Sequence, residues 1–478
     1  MERCFSIIVA HTEKLGIGLN NGLPWKSLKK DMKHFRETTT STIDSEKRNC
    51  VIMGRNTWES IPSKYRPLVK RLNLVISSTL KIDTDDTKTF TSLSDALTYS
   101  YDNSLVEQTF VIGGSQVYNE AIERMDLAKV ISTIVKKDYE VDRYFPKYPR
   151  WIVKTETKEI DDEMDINIYK NVADPNSQEQ TYLNCMKRIL DKGEKISDRT
   201  GVGTLSVFDE NLKFSIKTIN PDEPDQKKLK YQVPIMTTKN LYLRGVFWEL
   251  IWFLQGNTDS NWLKEKKVRI WDGNTSKEFL ESRGLPYEEG QLGPGYGHQW
   301  VNWGGNFGEE KKTGINQIKK IIDTLRTNPA SRRIVLSAWN VGDLDKMALP
   351  PCHMMYIFKV SDHSKSKPTL NCKVILRSND MFLGNPFNIM STALLTIFIS
   401  RAVGMLPGDI SISITDAHIY LNHIEQTKEQ LSRIPLKAPL LSIDRDIAEY
   451  EDMLNLTYKD VKLSKYHKWP TIKAKMAA

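Results

Sequence analysis

Two acids and a thiol stand out in this chain because each sits among apolar or cationic neighbours that alter its reactivity. Glu249 interrupts the apolar run Phe247-Trp-Glu-Leu-Ile-Trp-Phe-Leu254, which at helical spacing encloses it on every side. A carboxyl group so enclosed must be paired by hydrogen bonds or serve as a proton carrier. Burial raises its pKa toward the range useful for proton relay, so a functional acid is the preferred reading. Cys352 lies in Leu349-Pro-Pro-Cys-His353, ahead of the strand-like MMYIFKV. A lone cysteine is more often an inert buried thiol, and His353 is not its base merely by adjacency, since neighbours on a strand face opposite ways. Arginines shift that balance: Arg199 in Asp-Arg-Thr-Gly, Arg332-Arg333 before IVLSAW, and Arg377-Ser378 after LNCKVIL. Planar guanidinium groups suit a phosphate, and positive charge nearby activates a thiol as a nucleophile. Asp31 shares a face with Leu28, Met32 and Phe35 in a predicted helix over 28–35. It is either a first-turn charge satisfied locally or an acid that recognises a cationic or proton-requiring ligand, and the helix pattern alone leaves both open.

These residues need elements to hold them. The apolar runs FSIIVA, CVIM, LNLVIS, FVIGG and VISTIV alternate with helical patterns, which predicts an α/β unit with a largely parallel sheet flanked by helices. Met53-Gly-Arg-Asn-Thr-Trp58 and Ile112-Gly-Gly-Ser-Gln-Val-Tyr118 each end a strand in glycine where a helix begins, an arrangement that suits phosphate. Gly16-Ile-Gly18-Leu-Asn-Asn-Gly22-Leu-Pro-Trp25 is a weaker glycine signal, equally readable as a mobile loop. The pattern stops in the polar stretch 171–178, taken as a linker between domains at 1–170 and 179–478. Glu179 to Lys192 then reads as a helix capped by Gly193, opening a mixed α/β domain. Asn220 to Lys230 reads as a solvated loop without evident role. The uncharged stretch Met381 to Ser400, interrupted by Asn385, Pro386 and Asn388, reads as a buried loop and helix and not a membrane span.

Composition removes other classes. With 40% apolar residues and 11 Trp, the chain is a folded protein and not a disordered one. Five scattered cysteines without C-x-x-C argue against a disulfide framework or a cysteine metal site, so a reducing compartment, the cytoplasm, is expected. The run Phe5 to Ala10 is too short for a signal-peptide core. Residues 1–170 carry 26 basic and 25 acidic side chains, residues 171–478 carry 42 and 35, so the second domain holds +7 of the net +8. That excess is modest, and no Walker loop, H-E-x-x-H or RNA-recognition aromatic pattern is found, so neither nucleic acid nor a metal is expected as a partner.

IVAH, GIGLNNGLPW, the acid at 31, MGRNTW, RLNLVIS and IGGSQVY, in that order and spacing, closely resemble dihydrofolate reductase over residues 1 to 170. The resemblance implies that Asp31 is the pterin-binding acid that assists protonation, with Trp25 and Thr133 in its hydrogen-bonded surroundings. It further implies that Val9, Met32, Phe35 and Ile112 line the folate pocket and that Arg71 binds the α-carboxylate of the glutamate tail. NADPH would lie along Ala10, Gly16, Gly18, Gly54, Arg55, Asn56, Thr57, Ser77, Gly113, Gly114, Ser115, Gln116 and Val117. Ser78 and an arginine-free Phe90-Thr-Ser-Leu93 depart from the vertebrate pattern.

Glu249, Leu349 to His353, the arginines, Leu292-Gly-Pro-Gly-Tyr296-Gly-His-Gln-Trp300, Arg377 to Asp380, Asn385 to Asn388 and Asp416-Ala-His418-Ile-Tyr420 together resemble thymidylate synthase over about residues 180 to 478. Joined in this order, the two halves are similar to the bifunctional reductase–synthase family of protists and plants. The resemblance implies that Cys352 attacks dUMP, that Glu249 manages proton transfers and that Asn388 reads the uracil edge. His418 and Tyr420 would bind the ribose, and Asp380 and Trp271 the methylenetetrahydrofolate. Arg199, Arg377 and Ser378 would hold the phosphate, joined by Arg332 and Arg333 from the other subunit of a homodimer formed through the second domain. An RNA-binding role or an inactive scaffold is the competing reading; Asp31, Glu249, Cys352 and Asn388 weigh against the scaffold. Gly295 and Thr392 replace larger residues and are expected to loosen packing near the pocket, while Asn240 replaces a basic residue and leaves Lys239 to face an anionic folate tail.

Overall fold

A computed structural model describes residues 3–475 apart from 27, 176, 199 and 310. The chain divides into two compact units, Met1–Ala173 and Asp174–Ala478.

In the first unit the chief elements are β1 (Phe5–Thr12), α1 (Lys29–Thr40), β2 (Arg48–Gly54), α2 (Arg55–Ser60), β3 (Arg71–Ile76), β4 (Thr87–Phe90), α3 (Leu93–Asp102), β5 (Val106–Gly113), α4 (Ser115–Ile122), β6 (Leu127–Val135), β7 (Ile152–Glu159) and β8 (Met164–Asn171). Among the described residues these strands form one sheet in the order β4-β3-β2-β5-β1-β6-β8-β7. The pairings from β4 through β6 are parallel, and only β8 runs the other way, antiparallel to both β6 and β7. The apolar runs are nearly continuous because both faces are covered. Ile7, Val9, Cys50 and Ile52 enter one core, and the alternate residues Ile8, Val51 and Met53 enter another on the opposite face. Helix α1 begins at Lys29 and runs five residues past the predicted end, to Thr40.

The second unit starts with α5 (Glu179–Lys192) and continues through β9 (Glu194–Ile196), β10 (Thr204–Ser215), α6 (Leu243–Leu254), α7 (Tyr296–Val301), β11 (Val335–Ser337), β12 (His353–Ser361), β13 (Thr369–Asp380), α8 (Gly384–Ala402) and β14 (Leu406–Tyr420). Its main sheet has the order β9-β10-β14-β13-β12-β11, and only β13 and β14 pair in parallel. A parallel pair needs a crossover, and α8 supplies it, buried along almost its whole length. Pro386 falls in the first turn of α8, where its missing N–H breaks no helical bond. No helix of the described residues is long and apolar enough to cross a membrane.

Gly193 caps α5 as predicted, its N–H bonding the Ile189 carbonyl from an extended backbone (φ −65°, ψ 137°). Glycine is required there because a Cβ would stand 2.4 Å from the Ile189 carbonyl oxygen. One expectation needs correction: the 220–230 segment is not merely solvated, since Gln226 Oε1 accepts from the buried Arg401 guanidinium (3.0 Å) and from the Ile447 N–H (3.1 Å).

Glu179, at the head of α5, is buried and accepts from the N–H and hydroxyl of both Thr237 (2.9 and 2.6 Å) and Thr238 (3.0 and 2.6 Å). Truncation would strand four donors, each costly to leave unpaired. Glu179→Ala should therefore destabilise the second unit by about 3 kcal/mol, read as a lowered urea midpoint by tryptophan fluorescence; an unchanged midpoint would contradict this role for the carboxylate.

Candidate active sites

The first unit carries a cleft of about 2080 Å³ across the C-terminal ends of its parallel strands. That exceeds roughly twice the 1,000 Å³ upper range of a pocket for one drug-sized ligand, so two ligands can lie side by side. Its lining includes Val9, Ala10, Gly18, Asp31, Met32, Phe35, Gly54, Arg55, Asn56, Thr57, Arg71, Ser77 and Ile112 through Val117. At one side, the junctions β2–α2 and β5–α4 meet with bare backbone. Gly113 has φ +126° and a Cβ there would lie 3.3 Å from the Tyr118 ring, while a Cβ on Gly114 would lie 3.0 Å from Thr57 Oγ1. These junctions fit a dinucleotide phosphate backbone.

At the other side, Asp31 reaches in from the first turn of α1. Burial raises its carboxyl pKa above the ordinary value, against a hydrogen bond with Thr133 and the nearby His34. Thr133 is placed there by pairing with Ala10 across β1 and β6. Arg71 is buried, anchored by its own bonds to Thr39 Oγ1 (2.7 Å) and the Val69 carbonyl (3.1 Å), and no carboxylate of the described residues pairs with it. Two of the predicted residues lie elsewhere. Gly16 is outside the cleft lining, where a Cβ would strike Val141 at 2.7 Å. Trp25 is buried against Tyr139, and its Nε1 has no hydrogen-bond partner, so it is not bonded to Asp31. Tyr118, not singled out beforehand, lines the cleft and donates to the Ile8 carbonyl (2.9 Å). Ser115 and Ser77 spend their hydroxyls locally, on the Tyr144 carbonyl (2.8 Å) and on the Leu80 N–H (2.9 Å).

In the second unit the predicted groups converge at one edge of the sheet. Cys352 immediately precedes β12, and its N–H donates to Tyr296 Oη (2.6 Å) on α7. Arg377 on β13 donates to the Pro350 and Pro351 carbonyls (2.9 and 3.0 Å), and its Nη2 lies 3.8 Å from Cys352 Sγ. A cation so placed favours the thiolate form. Parallel register sets Ser378 beside Asp416 and Asp380 beside His418. Ser378 donates to Asp416 Oδ2 (2.8 Å), while His418 Nδ1 lies 3.4 Å from the same oxygen. Burial opposes the charge of this pair, but the mutual hydrogen bond prevails: His418 is raised and Asp416, also bonded by Ser206, is held down to about 2. Asp416 belonged to a recognisable run but was not predicted to act, because nothing local shows that it underlies two other site residues.

Glu249 projects from α6 and accepts from Trp271 Nε1 (2.8 Å). Burial pushes its carboxyl up to about 7, with that one bond opposing. Trp271 packs edge-on to Tyr296 at 6.1 Å, so these two rings link the acid to the Cys352 backbone. His353 Nε2 accepts from Asn388 Nδ2 (2.7 Å), so that ring nitrogen is engaged by the amide. Asp380 accepts from the Phe382 and Leu383 N–H groups (2.9 and 3.2 Å).

Other expectations fail for packing reasons. Lys239 does not face outward; it is 6% exposed, donates to the Phe382 carbonyl and sits 3.8 Å over that ring, and burial lowers its pKa to about 7. Gly295 leaves no void, because Leu292 fills the position a Cβ would take. Thr392 is buried and donates back to the Asn388 carbonyl (2.8 Å), so it tightens α8. Arg332 and Arg333 are exposed. Phe358 N bonds to the Ile334 carbonyl, which puts these arginines about 20 Å from Cys352 along β12 at roughly 3.3 Å per residue. Arg199 lies outside the described residues. Among the described residues no cluster of three or more His, Cys, Asp or Glu could hold a metal ion.

Comparison with known proteins gives two family matches, dihydrofolate reductase over residues 4–173 and thymidylate synthase over residues 180–478. The chain is 37% identical over 493 residues to the bifunctional dihydrofolate reductase-thymidylate synthase of Paramecium tetraurelia, covering 99% of each chain. It is 37% identical to that of Leishmania major, covering 99% of this chain and 95% of the relative. A similar relative from Arabidopsis thaliana is 36% identical, with 100% and 96% covered.

Because Asp416 holds His418 above the ordinary histidine value, the stability drawn from the pair is full between about pH 4 and pH 6.5, fading as pH rises through the folded His418 pKa and again as pH falls toward that of Asp416. Asp416→Asn should lower the His418 pKa below that of the unaltered protein, measured by NMR titration; an unmoved resonance would show that the carboxylate is not the cause.

Proposed function

We infer how the two clefts work from one premise: the chain belongs to the bifunctional dihydrofolate reductase–thymidylate synthase family, an enzyme of folate and nucleotide metabolism with both activities. Its two domains use NADPH and folate cofactors. The domain limits we propose are 1–170 for the reductase and 179–478 for the synthase.

In the synthase, Cys352 is the nucleophile. Its thiolate sulfur bonds to C6 of the dUMP ring, the C5–C6 double bond opens, and C5 gains the electron pair with which it attacks the methylene carbon of methylenetetrahydrofolate. Arg377, bound to the Pro350 and Pro351 carbonyls just ahead of the cysteine, keeps positive charge at the sulfur. Glu249, with a pKa near 7, exchanges protons at neutral pH, and the Trp271 indole orients its carboxyl. Asn388 reads the pyrimidine edge, His418 and Tyr420 hold the ribose, and Arg377 and Ser378, with Arg199, hold the phosphate. Asp380 and Trp271 receive the folate. As C5 bonds to the methylene carbon, a folate nitrogen leaves it; loss of the C5 proton to a base and of the second folate nitrogen leaves an exocyclic methylene, the tetrahydrofolate ring gives that carbon a hydride and becomes dihydrofolate, and the Cys352 thiolate departs as the C5–C6 double bond re-forms, giving dTMP.

In the reductase, NADPH when bound supplies the hydride. Asp31, made more basic by burial, holds a proton at the pterin side of the cleft, with Thr133 fixing the carboxyl. Val9, Met32, Phe35 and Ile112 enclose the folate, and Arg71, buried and without a carboxylate of its own, takes the glutamate α-carboxylate. The glycine junctions at 54 and 113–114, with Arg55 to Thr57, Ser77 and Ser115 to Val117, hold the dinucleotide. The observation that carries both halves is the convergence of Cys352, Arg377 and Glu249 at one edge and of Asp31, Thr133 and Arg71 in one cleft.

The synthase works as a homodimer. Arg332 and Arg333 cannot reach Cys352 of their own chain, and Val335, Met355, Ile357 and Ile375 leave a half-exposed apolar sheet face that a second copy covers. The proposed location is the cytoplasm.

Cys352→Ser should abolish dTMP formation and leave dihydrofolate reduction intact, and Asp31→Asn should do the reverse, each followed in coupled assays with and without NADPH. Synthase turnover surviving Cys352→Ser would refute the nucleophile. Mixing unfolded and refolded Cys352→Ser with Arg332→Ala/Arg333→Ala chains should restore part of the synthase activity that neither shows alone; no recovery would count against arginines donated across the dimer.

A further inference from the structure

A row of amides lies behind the synthase site. Asn385 Nδ2 donates to Asn379 Oδ1 (2.6 Å), Asn379 Nδ2 to Asn388 Oδ1 (2.6 Å), and Asn388 Nδ2 to His353 Nε2 (2.7 Å). Asn379 and Asn385 are 5% and 0% exposed, and Asn385 Oδ1 has no partner. Apolar residues of like size would fill such positions without that cost, so stability alone does not account for the row.

We propose that Asn379 and Asn385 are specificity-determining positioning residues, which hold the Asn388 amide in one orientation so that the synthase accepts a uracil edge and refuses a cytosine edge. The inference rests on Asn388 facing the pyrimidine, as described above. A primary amide has two N–H donors and two lone pairs. The row consumes one of each on Asn388 and leaves one of each for the ligand. Uracil presents a carbonyl at C4 and an N–H at N3, complementary to that pair. Cytosine presents an amino group at C4 and a bare N3, and both matches reverse.

An isolated asparagine would turn over and read either base. Turning Asn388 alone would set its amino group against that of Asn379 and its oxygen against the His353 Nε2 lone pair, so three amides and the imidazole tautomer must invert together. His353 cannot relieve this by taking a second proton at neutral pH, since burial lowers its pKa to about 4. A site built to hydrogen-bond one partner rejects an analogue that leaves its buried groups unpaired.

The test uses the full-length protein, with dissociation constants for dUMP and dCMP measured by calorimetry and the urea midpoint of the second unit, read by tryptophan fluorescence, as the check that each variant is folded. Asn379→Asp is nearly isosteric and can only accept at that position, so it draws the Asn388 amino group round. The preference for dUMP over dCMP should fall by about tenfold or more through tighter dCMP binding. Asn385→Leu, which frees one end of the row, should lower the preference less. An unchanged preference in both variants, or equal weakening of both nucleotides, overturns the proposal. Asn388→Ala separates the two layers: if it leaves the preference intact, Asn388 does not read the base and the underlying role fails. If Asn388→Ala removes the preference while Asn379→Asp does not shift it, only the positioning role fails.

Discussion

Parallel strand pairing is the constraint that both candidate sites obey. Two parallel strands end at the same edge of their sheet, and the helix that joins them must start there. In the first unit this gathers Ala10, Gly54, Ile76 and Gly113 on one rim, with α2 and α4 beginning at two of those ends. In the second, a single parallel pair is enough. β13 ends in Arg377 to Asp380, α8 begins with Asn385 and Asn388, and β14 returns to bring Asp416, His418 and Tyr420 alongside. Antiparallel β12 starts at the same edge and delivers Cys352.

The polar groups at these edges are held by other buried polar groups, each with a defined partner. Arg377 is pinned by two proline carbonyls, Arg71 by a threonine hydroxyl, and Ser378 and His418 by one carboxylate. Such partners limit the rotamers available before any ligand arrives, which is the condition for a preorganised site. Glu249 is the contrast. It has one indole donor in an apolar helix, so its charged form is poorly supported and its pKa moves to neutrality. Glu179 is more deeply buried and burial raises its carboxyl as well, yet it has four donors and serves as structural anchorage. Burial is common to both; the number of donors separates their roles.

The net charge of +8 is likewise read differently once positions are known. Lys239, expected to meet an anionic tail, is consumed in the core, and Arg401 is a buried strut tied to Gln226. Arg71 lines the cleft of the first unit and Arg377 stands beside Cys352, and no carboxylate of the described residues forms a salt bridge with either, so a few placed cations matter more than the sum.

The sequence by itself determined the periodicities and the chemistry of single residues. The alternating runs of the α/β unit, helix α5 from Glu179 to Lys192, the acid at 249 within an apolar helix and the strand-glycine-helix junctions were all legible, because each depends on neighbours within a few residues. Asp31 and Cys352 were legible only as alternatives, since their partners Thr133 and Arg377 lie 102 and 25 residues away in sequence. Tertiary structure alone decided that Lys239 points inward, that Trp25 is not bonded to Asp31, that Leu292 fills the space at Gly295, that Asp416 accepts from Ser378 and that Asn385 donates to Asn379. Those outcomes turn on which distant groups satisfy a buried donor or fill a given volume. A one-dimensional pattern carries no record of that, because hydrogen-bond geometry and packing are set between elements and not within them.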